Sequence, residues 1–271
     1  MNMEDLDRPQ LGEARREMIR EMLMEAGAVT VSQLQGRFGV SPMTARRDLD
    51  ELERRGTARR THGGAVLPSI AAPENSFTQR VGVATDAKIR LADAAFELLQ
   101  GGETVFLDSS STAYFLARRI AEGGLQLRVL TNSGPVLQVL AASDETHVEL
   151  YAIGGMLRRL TGSYVGPAAV RMVREHFADR LFLSVTGVTR NGVLTDADDL
   201  EASVKAAMLE QAKESVLLLD ASKVSTRGRQ AVAPIRAVSL VIADGLSHAD
   251  AEQLRTAGAT VRVVGEAART S

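Results

Sequence analysis

The chain has 271 residues and no cysteine. A disulfide framework, a cysteine zinc site, an iron–sulfur cluster and a thiol nucleophile are therefore excluded, and a reducing compartment is its natural home. It also lacks any run of about 18 apolar residues, the length needed to cross a membrane, and its first residues carry Glu4, Asp5 and Asp7 where a leader would be apolar. A cytoplasmic protein with no membrane partner is expected. Histidine is sparse, and His62, His147, His176 and His248 show no metal-ligand spacing, so neither a metal nor a cofactor is expected. Lysine is sparser still: of 32 basic residues only Lys88, Lys205, Lys213 and Lys223 are lysines, and each needs an explanation.

What remains is ordinary globular material, 45% hydrophobic and 24% charged, in a length that suits about two domains. The formal charge of −2 argues against a protein that coats nucleic acid through a globally positive surface. Its distribution is uneven. Between Arg37 and Gly64 seven arginines face four acids, and residues 54–62 hold four arginines and no acid. A compact basic end on an acidic body fits a small DNA-reading domain joined to something larger.

Periodicity supports that division. Met18, Ile19, Met22, Leu23 and Ala26 recur at helical spacing and stop at Gly27. Ser32 suits the cap of a second short helix that turns Leu34 and Phe38 inward and closes at Gly39. Ser41 and Pro42 then suit the cap and first turn of a third helix running to about Arg55. Three short helices with a tight turn before the third make a helix-turn-helix. At about 100° per residue, Ala45, Leu49 and Leu52 form its buried stripe, with Met43, Arg47, Asp50 and Arg54 opposite and Thr44 and Arg46 flanking. Arg47 is thus placed for a guanine edge, and Thr44 and Arg46 for phosphate or a thymine methyl. Residues 57–65 read as a wing turning at glycines. The candidate DNA-facing residues are Ser41, Met43, Thr44, Arg46, Arg47 and Arg54, with Arg59, Arg60 and His62 on the wing.

The run VSPMTARRDLDELERRGTARRTHGGA resembles the helix-turn-helix and wing of the DeoR family of bacterial sugar-responsive transcription regulators. It implies a DNA-binding domain over residues 1–66 and double-stranded operator DNA as partner. Residues 67–80 hold two prolines and few large apolar residues, and read as a linker.

Residues 81–271 have another texture. After a helical stretch over 88–100, short apolar runs recur at 104–107, 127–130, 148–153, 181–185, 216–219, 240–243 and 261–264, most of them separated by helical stretches. Such alternation predicts an α/β domain with a parallel sheet covered on both faces. Several runs end in polar or glycine-rich turns: Asp108 to Thr112, Thr131 to Ser133, Gly154-Gly155, Thr186-Gly187 and Asp220 to Lys223. In an open parallel sheet these turns converge on one crevice at the carboxyl ends of the strands. The hydroxyls of Ser109, Ser110, Ser111 and Thr112, at the start of a helix, form a plausible phosphate cradle. They are equally suited to capping that helix. Lys223 offers a cation, whereas Lys205, four residues after Glu201, can be read as half of a surface ion pair.

This segment resembles the DeoR effector domain, from Glu74-Asn75-Ser76-Phe77 and Arg80 to Asp220, Ser222 and Lys223. That domain is similar in fold to ribose-5-phosphate isomerase and the CoA transferases. The resemblance implies a phosphorylated sugar as effector rather than cofactor, with Asp108, Ser109, Ser110, Ser111, Thr112, Thr131, Asn132, Gly154, Gly155, Gly187, Glu201, Lys205 and Lys223 as candidate contacts. Ser110 stands where the family often has glycine. The expected function is a transcription regulator, most simply a repressor of carbohydrate genes and not an enzyme, acting as a homo-oligomer, dimer or tetramer. The competing expectation is a sugar-phosphate isomerase, which would have no need of the first 64 residues.

Overall fold

A computed structural model describes residues 8–68, 74–143 and 147–265. The chain forms two compact units, the second beginning at Glu74. Among the described residues no helix is long and apolar enough to cross a membrane.

In the first unit, helix α1 (Arg8–Ala26) leads into a short strand β1 (Ala28–Thr30), then α2 (Val31–Phe38), α3 (Pro42–Arg54) and the hairpin β2 (Arg59–Thr61) and β3 (Gly64–Val66). The cap of α2 is Thr30 rather than Ser32. Its hydroxyl accepts from the Gln33 amide while the Gln33 side chain accepts from the Thr30 amide, so two otherwise orphaned donors are satisfied together. Gly39 closes α2 at φ 64°, a left-handed conformation that costs glycine nothing. Strand β1 pairs with β3, making the wing a three-stranded antiparallel sheet of order β1-β3-β2. Ile19, Leu23, Leu34, Ala45, Leu49 and Leu52 fill the core beneath it.

The second unit opens with α4 (Phe77–Gly82), which begins inside the stretch expected as linker and runs past its end; residues 69–73 of that stretch lie outside the described residues. Ser76 and Gln79 form a capping box at its start, and the Phe77 ring meets Tyr114 edge-on at 5.4 Å. Helix α5 (Thr85–Phe96) follows. Strands β4 (Thr104–Leu107), β5 (Leu127–Thr131) and β6 (Val148–Ala152) alternate with α6 (Ser111–Gly123) and α7 (Gly134–Ala141). A hairpin of β7 (Met156–Arg158) and β8 (Ser163–Val165) precedes α8 (Pro167–Arg174) and β9 (Ala178–Leu183). Then come β10 (Gly187–Val188), β11 (Val193–Asp196), α9 (Asp199–Gln211), β12 (Ala212–Asp220), β13 (Gln230–Pro234), β14 (Leu240–Asp244), α10 (His248–Thr256) and β15 (Val261–Val264).

All seven apolar runs read from the sequence are strands of one parallel sheet, in the order β15-β14-β12-β9-β4-β5-β6. Each strand alternates between two cores. Phe106, Leu181, Leu217, Leu219 and Val241 face Val173, Val204, Met208 and Leu254. Val105, Leu107, Val129, Phe182, Val216 and Ile242 face Leu91, Leu116, Ile120 and Val136. Both faces are sealed by helices, the condition under which a strand reads as an unbroken apolar run. The chain starts the sheet at β4, winds outward through β5 and β6, then returns to add β9 on the other side. The β4/β9 junction is therefore the topological switch point, beside which open α/β sheets form their crevice.

Candidate functional site: a winged helix and a buried charge cluster

On α3 the Ser41 hydroxyl accepts from the Thr44 amide at 3.2 Å and meets the Thr44 hydroxyl at 2.9 Å, with Pro42 in the first turn. Ala45, Leu49 and Leu52 are buried, as their spacing predicts. Met43 is 59% exposed, and Arg46, Arg47, Asp50 and Arg54 are exposed on the outer side. Arg54 pairs with Glu51. Among the described residues neither Arg46 nor Arg47 spends its guanidinium on an intramolecular partner. Asp48, unremarked in the sequence, is buried and bound by Arg15 at 2.6 Å and Arg16 at 3.3 Å, which ties α1 to α3. The wing places His62 in the exposed two-residue turn between paired Thr61 and Gly64, with Arg59 exposed beside it. Arg60 behaves differently: its guanidinium lies against α3, bonded to Asp50 and to the Arg46 carbonyl at 3.1 Å.

In the second unit, the carboxyl ends of β4, β9 and β12 bring Asp108, Ser184 and Asp220 together. Asp108 is fully buried. One oxygen accepts from the Ser110 amide at 3.0 Å and hydroxyl at 2.5 Å; the other accepts from the Ser184 amide at 3.1 Å and lies 3.1 Å from Lys205 Nζ. Lys205 is not a surface ion-pair residue. It is buried, 2.8 Å from Asp196, and donates to the Ser184 carbonyl at 2.6 Å. Burial opposes its charge, but Asp108, Asp196 and Glu201 outweigh it and hold its pKa above the ordinary lysine value.

The four hydroxyls of the first turn divide in role. Ser109 donates to Glu201 at 2.7 Å, while Ser110 binds Asp108 and caps α6 by accepting from the Ala113 amide at 3.0 Å. Ser111 and Thr112 are buried residues too, and among the described residues their hydroxyls take no such partner. With φ −73°, Ser110 sits where any residue fits, so the departure from glycine costs no strain. Glu201 is buried too, its other oxygen accepting from Ser163 at 2.5 Å.

Thr131 accepts from the Ser133 amide through its hydroxyl, and Asn132 donates to the Tyr164 carbonyl at 2.9 Å. Asn132 Oδ1 is buried with no partner among the described residues. Gly154 and Gly155 follow β6. A Cβ at Gly155 would come within 2.6 Å of the Val165 carbonyl, so close packing accounts for that glycine. Gly187 is buried in the small sheet of β10, β11 and β13, where its carbonyl accepts from Thr195 at 2.8 Å.

Lys223 donates to Ser184 Oγ at 2.8 Å, with Asp220 at 3.6 Å. Burial pushes its pKa down and Asp220 resists. Lys88, which sequence reasoning left without a role, is buried and donates to the carbonyls of Arg80 and, at 2.5 Å, Val83. Burial first, then the charge of Lys223, lowers its pKa to about 8, with Arg80 adding and Asp220 opposing. Arg80 itself holds Nε and Nη2 buried without partners among the described residues. Orphaned buried polar atoms are rare in folded proteins, and each needs a cause. The scarcity of lysine was the available signal for Lys88; nothing local pointed to Ser184 or Asp196.

Residues 15–71 match the DeoR-like helix-turn-helix domain, and residues 83–245 match the DeoR C terminal sensor domain. The chain is 36% identical over 248 residues to the HTH-type transcriptional regulator GlpR of Haloferax volcanii, covering 91% of this chain and 96% of that one. It is 35% identical over 211 residues to the lactose phosphotransferase system repressor of Lactococcus lactis subsp. lactis, covering 77% and 82%. A solved ribose 5-phosphate isomerase A of Methanocaldococcus jannaschii aligns with a TM-score of 0.37 at 22% identity, covering 52% of this chain and 54% of that one. Two domain matches in sequence along one chain, with full-length relatives above 30% identity, show that the protein belongs to the DeoR family of transcription regulators.

Proposed function

We propose that the protein is a repressor of carbohydrate-metabolism genes that binds operator DNA through α3 and the wing and is released by a sugar phosphate bound in the second unit. On the DNA side the contacts are Ser41, Met43, Thr44, Arg46, Arg47 and Arg54, with Arg59 and His62 from the wing. Ser41 and Thr44, at a helix N-terminus, suit a phosphate, and Arg47 suits a guanine edge. One such unit covers a single half-site, so the working form is a homo-oligomer presenting two.

The observation that carries the effector reading is a group of three buried polar atoms, on Arg80 and Asn132, with no partner among the described residues. Arg80 Nε and Nη2 are donors beside Lys88 and Lys223, and Asn132 Oδ1 is an acceptor at the end of β5. Donors among cations suit a phosphate, and an isolated acceptor suits a sugar hydroxyl. Ser111, Thr112 and the first amides of α6 add donors, with Thr131, Gly154, Gly155 and Gly187 bordering the site. Asp108, Ser109, Ser110, Glu201 and Lys205 form the network behind them.

The isomerase reading draws less support. It needs a free carboxylate base and a free ammonium, yet both Glu201 oxygens accept from serines and Lys205 is held between Asp108 and Asp196. The test is a thermal-shift panel of pentose and hexose phosphates, in which a ligand at 100 times its Kd adds about 2.7 kcal/mol. A stabilising sugar phosphate should release DNA without being consumed, and Lys223→Met should abolish release while operator binding persists. Turnover of the ligand, or release unchanged in that variant, would overturn the reading.

A further inference from the structure

The geometry points to Asp50 and Arg60 as a positioning pair that sets the wing against the recognition helix, with neither residue contacting DNA itself. This rests on the proposal that α3 and the wing form the DNA-binding face. Neighbouring residues of a strand project to opposite sides. Along β2 the exposed Arg59 and Thr61 alternate with Arg60, whose side chain is only 22% exposed. Arg60 returns to α3 three times: Nη1 to Asp50, Nη1 to the Arg46 carbonyl at 3.1 Å, and its backbone amide to Glu53 at 2.7 Å. Its Nε is buried. With Nη1 committed to α3 and only 22% of the side chain exposed, the guanidinium is drawn under the wing, away from the exposed side that carries Arg59 and Thr61.

Asp50 poses the complementary question. It lies on the outer stripe with Arg47 and Arg54, 62% exposed, where an unpaired carboxylate would face the phosphate backbone. Pairing with Arg60 cancels that charge and gives it a use. The contact with the Arg46 carbonyl extends the tie to the residue beside Arg47, so one side chain joins the wing to the reading helix at two points. Arg59 and His62 are left as the wing residues that meet DNA.

The experiment uses the full chain and a duplex selected from a random pool on the wild-type protein, comparing Asp50→Ala, Arg60→Ala, the double variant, Arg60→Lys and Arg59→Ala. Arg59→Ala should reduce the slope of log K against log salt by about 0.9, as loss of one phosphate contact does. Arg60→Ala should leave the slope unchanged, yet lower affinity about fivefold, the size of an exposed ion pair, and erase hydroxyl-radical protection at the flank under the wing. Asp50→Ala should erase the same flank, with the double variant no worse than either single one, and Arg60→Lys should restore it. In the protein without DNA, amide exchange across residues 61–64 should quicken in both single variants. These are surface changes, so the fold persists. A slope lost in Arg60→Ala, additive losses in the double variant, or an altered preference at one base pair in Asp50→Ala would overturn the inference. If the wild type selects no duplex, the DNA-binding reading fails instead.

Discussion

The two units manage charge in opposite ways. In the first, arginines dominate and most stay near water: Arg46, Arg47 and Arg59 are exposed, and Arg55 pairs with Glu13 and Glu51 in the open. In the second, Lys205 is buried between two carboxylates and Lys88 on backbone carbonyls, while Lys223, partly buried, donates to Ser184. Arginine keeps its charge at any working pH, which suits a surface that must meet phosphates. A buried lysine depends on its neighbours for its charge, so a bound anion can alter it. The first unit is thus equipped to hold DNA and the second to register a ligand.

The comparison would break most visibly at Lys205. Lys205→Met leaves Asp108 and Asp196 buried without their cation and should cost about 3–5 kcal/mol in urea denaturation. Because Lys205 holds the Asp196 pKa down against burial, the loss should be larger at pH 8 than at pH 5, where Asp196 freed of that cation takes up a proton. An equal loss at both pH values would show that packing, not charge, is responsible.

On the exposed side, Arg47→Ala should weaken binding to the selected duplex by about 1–3 kcal/mol and relax preference at one base pair, with random DNA affected less. Equal losses on both duplexes would make Arg47 a phosphate contact.

The titration of Lys88 sharpens the contrast further. Its pKa of about 8 lies below the unfolded value, so its charge is complete below pH 7 and fades as pH rises through 8. A bound phosphate favours the charged form. Effector affinity should therefore fall between pH 7 and 9, by at most tenfold per pH unit, and binding at pH 8 should take up protons, seen by calorimetry in buffers of different ionisation enthalpy. Operator affinity without effector should stay level over the same range. A flat effector profile would remove Lys88 from the site.

The smallest effect is expected at Ser41, where alanine removes the cap of α3 and should cost about 1 kcal/mol of stability. A larger loss of DNA affinity than of stability would add a direct phosphate contact to its role.

Local chemistry made much of this protein legible. The Ser41-Pro42 start of α3, its buried stripe and all seven strands of the large sheet follow from short-range spacing, because helix caps and the alternation of a doubly covered sheet act within a few residues. The second cap was misplaced by two residues, since Ser32 and Thr30 look alike until the reciprocal Gln33 bond is seen. The candidate site was legible in part: Asp108, Asn132, Glu201, Lys205 and Lys223 lie at or behind the carboxyl ends of the strands. Their partners were not. Ser109 meets Glu201 across 92 positions of chain, Asp108 meets the Ser184 amide across 76, and Arg60 turns from the wing onto Asp50 ten residues earlier. A charge in sequence has a sign but no environment; whether it becomes a surface ion pair, a buried triad or a rivet between two elements depends on which strands are neighbours. The sequence by itself determined the elements and the chemistry available at their ends, and only the tertiary structure decided which of those groups are desolvated together, because desolvation and pairing are properties of contacts that the order of strands creates.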